Sequence, residues 1–283
     1  MNEASQWRLE FARQVATTYT RHPSVRVVMV SGSVARGYAD RWSDVEIGVF
    51  WESFPSRDAF RALVQEAGGK AWELDPFEEG ADVQYEEYTV GPLKIDLRHM
   101  TMTGMEEVLA AVVDQADIAE ARQEIVAAIL HGIPLEGALW MAKWQARAAD
   151  YPEQLAQAMI RHSLALPAWW SIPLLAARGD WHLVYASLHH TSERILGALM
   201  GLNRRYYPGS KWLAQTLAGL TLTPPDLYAR LMQTFRVEPH VGAEQMRLLI
   251  EETFDFVTYH RPDIDLRVER AAFRYHRPIA DRK

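Results

Sequence analysis

Apolar residues follow two rhythms along this chain. Up to about residue 100, short β-branched and aromatic runs alternate with polar turns; beyond it the spacing becomes that of helices. Residues 3–20 put Trp7, Leu9, Phe11 and Val15 on or near one side of a helix. The run Val25–Val30 is short and β-branched, which predicts a buried strand ending at Ser31-Gly32-Ser33. Residues 34–39 can hold a short helical turn, 44–51 read as a second strand, and 56–67 as a helix stopped by Gly68-Gly69. Residues 82–90 and 93–100 alternate as strands around Gly91-Pro92, which predicts an antiparallel hairpin.

From residue 103 the pattern predicts helices over 103–115, 118–130, 135–148, 153–165, 181–200, 209–219 and 243–259. Breakers stand at Gly132/Pro134, Pro152, Gly179-Asp180, Pro208-Gly209 and Pro224-Pro225. The fold class expected is α+β: a mixed β-sheet domain over 1–115, then an all-α helical bundle over 116–283. No internal repeat or low-complexity tract interrupts this plan.

Composition narrows the chemistry. The 283 residues include no cysteine, which excludes disulfides, thiolate zinc sites and cysteine nucleophiles. The polar start MNEASQWRLE lacks the apolar core of a signal peptide, and no apolar run approaches the roughly 20 residues of a membrane span. A cytoplasmic protein without membrane attachment is expected. Net charge is −7, and it is unevenly spread. Residues 1–115 carry 19 acidic and 11 basic side chains, the rest 18 and 19. An acidic half disfavours broad nucleic-acid binding and suits divalent cations or a cationic small acceptor.

The informative stretch runs from Val30 to Glu46. A buried strand delivers Gly32 and Ser33 to its end, where glycine lets a ligand approach the backbone. The following helical turn offers free N–H groups, and Ser33 adds a hydroxyl; together they suit a triphosphate. Asp44 and Glu46 stand two apart in a strand, so they share a face, while Val45 and Ile47 turn to the core. Two adjacent carboxylates repel unless a cation or proton lies between them, and magnesium prefers such a pair plus phosphate oxygens and water. Asp96, flanked by Ile95 and Leu97, joins them if its strand lies alongside. Three clustered acids can hold two Mg2+ ions about a transferring phosphoryl group, with Asp96 helping to take the acceptor's proton.

Gly32-Ser33, ten residues, Asp44-Val45-Glu46 and a later apolar-flanked Asp96 resemble the DNA polymerase beta-like nucleotidyltransferase superfamily. The string GSVARGYADRWSDVEIGV looks like its small-molecule and minimal branch, which includes aminoglycoside and lincosamide nucleotidyltransferases. Glu46 stands where aspartate is common, and glutamate also occurs there. The resemblance implies metal ligation and catalysis by Asp44, Glu46 and Asp96, and phosphate binding at Gly32 and Ser33. It also implies transfer of a nucleoside monophosphate from an NTP, expected to be ATP, to an acceptor hydroxyl. A small molecule is the leading acceptor class. A tRNA or protein acceptor, or a non-catalytic nucleotide-binding module, stays open. The helical half resembles the C-terminal domain of bacterial members, from which Lys211 would touch the triphosphate.

Other residues read more plainly. Arg36 could reach a phosphate but is expected rather to bridge to Asp40, and Ser43 to cap or orient the loop before Asp44. Arg204 and Arg205 are weaker phosphate candidates than Lys211 and are expected to pair with neighbouring acids. Glu78 and Glu79 are expected in solvent, as is the strand face of Glu86 and Glu87, unless one of these two faces the site as an acceptor-binding acid or auxiliary base. Glu193 shares a helix face with His190 three residues before it and with His189 four before it, but neither pair has a third ligand nearby. Trp169, Trp170 and Trp181 belong to a helical core, and the arginine-rich tail after residue 262 packs on the surface or frays.

Overall fold

The computed structural model describes residues 1–75, 78 and 80–277; Glu79 and the last six residues of the tail lie outside them. The chain divides into two compact units. The first is Met1–Asp117 with Glu124–Asp150, the second Ile118–Gln123 with Tyr151–Lys283.

The first unit is built on a six-stranded mixed sheet. In chain order its strands are β1 (Val25–Val30), β2 (Val45–Trp51), β3 (Lys70–Leu74), β4 (Val83–Val90), β5 (Leu93–Thr101) and β6 (Ile133–Glu136). They lie in the order β3-β4-β5-β2-β1-β6. Among the described residues only β2 and β5 run parallel. The hairpin at Gly91-Pro92 forms as the alternation predicts.

One sheet face is covered by α1 (Glu3–Thr20) and α3 (Arg57–Glu66). Ala12, Val15, Ala16, Tyr19, Phe60 and Val64 meet Val28, Val45, Ile47, Val49 and Trp51 there. Asn2 caps α1 by accepting from Ser5 N–H, and Ser56 caps α3 by accepting from Ala59 N–H. Each such cap contributes about 1 kcal/mol.

The segment after residue 115 departs from the expected plan. Helix α4 (Met102–Leu109) ends in a π-helical turn, Ala110–Asp114. Strand β6 and helix α6 (Ala138–Ala149) belong to the sheet unit, not to the helical one. The chain passes between them at Gly137, whose φ of +71° is left-handed and where a β-carbon would lie 2.2 Å from Arg26 O. Helix α6 drives Trp144 onto Phe50, ring centroids 4.9 Å apart. The Trp144 indole N–H donates to Glu106 at 2.9 Å, and Arg147 pairs with Glu106 and Asp114. A division at residue 115 therefore cuts through one packed layer.

The second unit is helical. It contains α7 (Glu153–Leu164), α8 (Ser171–Arg178), α9 (Trp181–Leu202), α10 (Leu213–Ala218), α11 (Leu227–Thr234), α12 (Pro239–His260) and α13 (Arg267–Arg274); α5 (Glu120–His131) spans the division. Its core gathers Leu164, Leu188, Ile195, Leu199, Met246, Ile250, Phe254 and Phe273. Trp169 is in that core, Trp170 is half-buried, and Trp181 is 45% exposed at the start of α9, contrary to its expected core place. Among the described residues no helix is long and apolar enough to cross a membrane.

Candidate active site

Strand β1 ends at Val30, and the chain turns at Ser31 into α2 (Gly32–Arg36). Ser31 N–H donates to Glu46 O at 2.9 Å, which continues the β1–β2 pairing past the strand end. This brings Gly32 against Glu46. Gly32 has a φ of +61°, and a β-carbon there would lie 1.1 Å from Glu46 Oε2. Glycine is thus required twice, for the left-handed backbone and for the space the carboxylate occupies. Ser33 beside it is buried.

Strand β2 sorts its side chains by parity. Val45, Ile47, Val49 and Trp51 are buried on the helix-covered face, and Glu46 takes the other. In the parallel β2–β5 pair, Glu46 is the direct partner of Asp96. Asp44 stands one residue before β2, and all three acids are half-buried.

The loop leading to Asp44 is braced. Asp40 accepts from Trp42 N–H at 2.8 Å and from the Ser43 hydroxyl at 3.1 Å. These bonds, Trp42 N–H foremost, hold the Asp40 carboxyl below its usual range. Ser43 Oγ accepts from Asp40 N–H, and Arg8 Nε donates to Ser43 O at 2.9 Å. Ser43 orients the loop as expected. Arg36 instead donates to the Tyr38 hydroxyl at 3.1 Å, because the loop itself takes up the Asp40 carboxylate.

Strand β4 adds acids of two kinds. Glu87 is the cross-strand partner of Asp96, on the same face. Lys94, two residues before Asp96, reaches both: its Nζ lies 2.7 Å from Glu87 Oε2 and 2.9 Å from Asp96 Oδ1. Hydrogen bonding to Glu87, then to Asp96, pushes the Lys94 pKa above the ordinary lysine range. Lys94 was legible as an i, i+2 neighbour of Asp96, but a lone lysine in a strand carries no motif.

Glu86 is not solvated as the sequence suggests. Its side chain is 0% exposed on the opposite face and accepts from Tyr19, Trp72 and His99. Parity explains it: in an alternating strand, Glu86 and Glu87 must face opposite ways.

In kind, the donors fit a hard divalent cation: carboxylates at paired strand positions beside a bare glycine backbone. They are not preassembled. Among the described residues no group of three His, Cys, Asp or Glu is arranged to hold a metal ion. Adjacent carboxylates repel, and Asp96 satisfies its charge on Lys94.

The second unit holds the remaining candidates. Lys211 is exposed two residues before α10. Arg204 pairs with Glu153, and Glu193 accepts from the Tyr207 hydroxyl at 2.6 Å.

Residues 119–213 match a family described as a domain of unknown function (DUF4037), which covers less than half of the chain. No curated protein matches. Among solved structures, the chain is similar to a nucleotidyltransferase-like protein from Exiguobacterium sibiricum 255-15. The two are 15% identical with a TM-score of 0.46, over 92% of this chain and 79% of that one.

Proposed function

We propose that this protein is a magnesium-dependent nucleotidyltransferase, transferring NMP from an NTP, with ATP the proposed donor, to the hydroxyl of a small molecule and releasing pyrophosphate. The observation that carries the reading is the contact of Gly32 with Glu46, joined through strand register to Asp96. A buried-strand terminus, a glycine backbone free of a β-carbon and charged side chains are costly as plain structure and useful for holding a polyphosphate.

In this reading Asp44, Glu46 and Asp96 hold the ions, which supply charge neutralisation for the triphosphate when bound. The Gly32 backbone and the Ser33 hydroxyl orient the phosphates, and Asp96 is placed to accept the acceptor's proton. Lys211 is proposed as a further phosphate ligand from the resemblance alone. The reaction is placed in the cytoplasm.

The test is incubation of the chain with labelled NTPs, magnesium and a metabolite or RNA extract. Wild type should transfer label to a small molecule, and Asp44→Ala and Glu46→Ala should abolish transfer while circular dichroism stays unchanged. Equal labelling by the variants would remove the acids from the chemistry; label in RNA or protein would move the acceptor class.

A further inference from the structure

We propose that Lys94 is a built-in competitor for the metal site, an ammonium seated on Asp96 that a divalent cation must displace, with Glu87 as its alternative seat. The inference rests on the metal-dependent reading above. Its basis is a line of carboxylates at paired strand positions, unshifted across β2, β5 and β4 and reaching β3 beside a register shift between Lys70 and Glu73. Glu46 pairs with Asp96 across β2–β5, Asp96 with Glu87 across β5–β4, and Glu87 with Glu73 across β4–β3. Directly opposite residues share a sheet face, so these side chains form one row.

Lys94 serves two members of that row. Its Nζ is within hydrogen-bond distance of both Glu87 and Asp96. A lysine ammonium carries three donors on a flexible four-carbon stem, so it can release one carboxylate and keep the other. Asp96 can then turn to Glu46 without leaving a charge unpaired, because Lys94 stays on Glu87. The lysine, Asp96 and Glu87 are each between one third and one half exposed, so exchange requires no opening of the core.

Two substitutions should act in opposite directions. Lys94→Met removes the competitor and should tighten binding of divalent cation by about tenfold. Glu87→Gln removes the alternative seat, leaves the ammonium on Asp96 and should weaken binding several-fold. A general field effect would produce both shifts additively, whereas exchange of one ammonium between two seats does not. In the Lys94→Met background, Glu87→Gln should therefore change little.

The experiment is Mn2+ binding to the full chain without nucleotide, by electron paramagnetic resonance of the free ion. It covers wild type, both single variants, the double variant and Asp44→Ala/Glu46→Ala, each checked by circular dichroism. Tighter binding by Lys94→Met with a non-additive cycle supports the proposal. Unchanged or weaker binding by Lys94→Met, or an additive cycle, overturns it. If Asp44→Ala/Glu46→Ala still abolishes binding in that case, the metal reading stands without Lys94. No Mn2+ bound by wild type or Lys94→Met overturns both.

Discussion

Glu86 sets a sharp energetic expectation, because its partners can be counted. Oε2 accepts from the Tyr19 hydroxyl at 2.9 Å and from His99 Nε2 at 2.9 Å, and Oε1 accepts from Trp72 Nε1 at 2.7 Å. The histidine tautomer follows from its other neighbour. Trp51 Nε1 lies 3.2 Å from His99 Nδ1, and an indole N–H only donates, so Nδ1 accepts and the proton sits on Nε2. Replacement by leucine leaves these donors unequal. Tyr19 can turn to Tyr88, 3.0 Å away. Half-buried Trp72 can meet water, but the His99 N–H, with a side chain 0% exposed, has nowhere to turn. One fully stranded donor and one partly stranded donor give a loss of about 2–5 kcal/mol. Glutamine can keep its carbonyl on His99 and Tyr19, but its NH2 then faces the Trp72 N–H, donor against donor; half-buried Trp72 must turn to water, which limits the loss to about 1–2 kcal/mol. A chain of two units does not unfold as one step, so the assay is hydrogen exchange of β4 and β5 amides with α9 and α12 as internal reference. Opening should become easier in the order wild type, Glu86→Gln, Glu86→Leu. Wild-type protection in Glu86→Leu, or a larger loss in Glu86→Gln, would refute the hydrogen-bond account.

Three further expectations concern separate parts of the molecule. Gly32→Ala puts a methyl group where Glu46 Oε2 sits and a side chain at φ +61°; it should cost about 1–2 kcal/mol and remove nucleotidyl transfer, read from exchange and turnover. Trp144→Ala empties a fully buried site on Phe50 and should lower sheet-unit stability by about 3–5 kcal/mol, with α9 exchange unchanged. Glu251 on α12 is held below the usual carboxylate range by Arg274 first, then by Arg270, both on α13. Its contribution is present above the ordinary glutamate pKa of 4.5 and is lost as pH falls through the lower folded value. Proteolysis of α13 should therefore accelerate on acidification in wild type. In Glu251→Gln it should be faster already at neutral pH and depend less on acid, because only pairs such as Arg270–Asp255 remain to titrate.

The sequence made legible what depends on local pattern. The β-branched run of β1, the parity of β2 and the Gly91-Pro92 hairpin each announce themselves through composition or alternation. Strand β3 does not: Lys70-Ala-Trp-Glu-Leu74 is mostly exposed, and Ala71 has a φ of +51° that no alanine advertises. Strand β6 has only four residues and begins Ile133-Pro134; it holds its place as an edge strand on β1, a tertiary pairing that local propensity does not encode. Helices α8, α11 and α13 have eight residues each, too few for a clear period beside prolines and charge clusters. At the site, Gly32, Asp44, Glu46 and Asp96 stood out because glycine and acid are conspicuous between apolar residues. The pairing of Asp96 with Lys94 and Glu87 was hidden because it depends on strand register, fixed by the sheet as a whole.

The claim on which the rest depends is that the face carrying Glu46 and Asp96 beside Gly32 cleaves an NTP between its α- and β-phosphates. Parallel incubations with α-labelled and γ-labelled NTP in magnesium test it most directly. The α-label should move to an acceptor and the γ-label should leave as pyrophosphate, both lost in Glu46→Gln. γ-Label released as orthophosphate or carried to the acceptor, or equal turnover by Glu46→Gln, would contradict it.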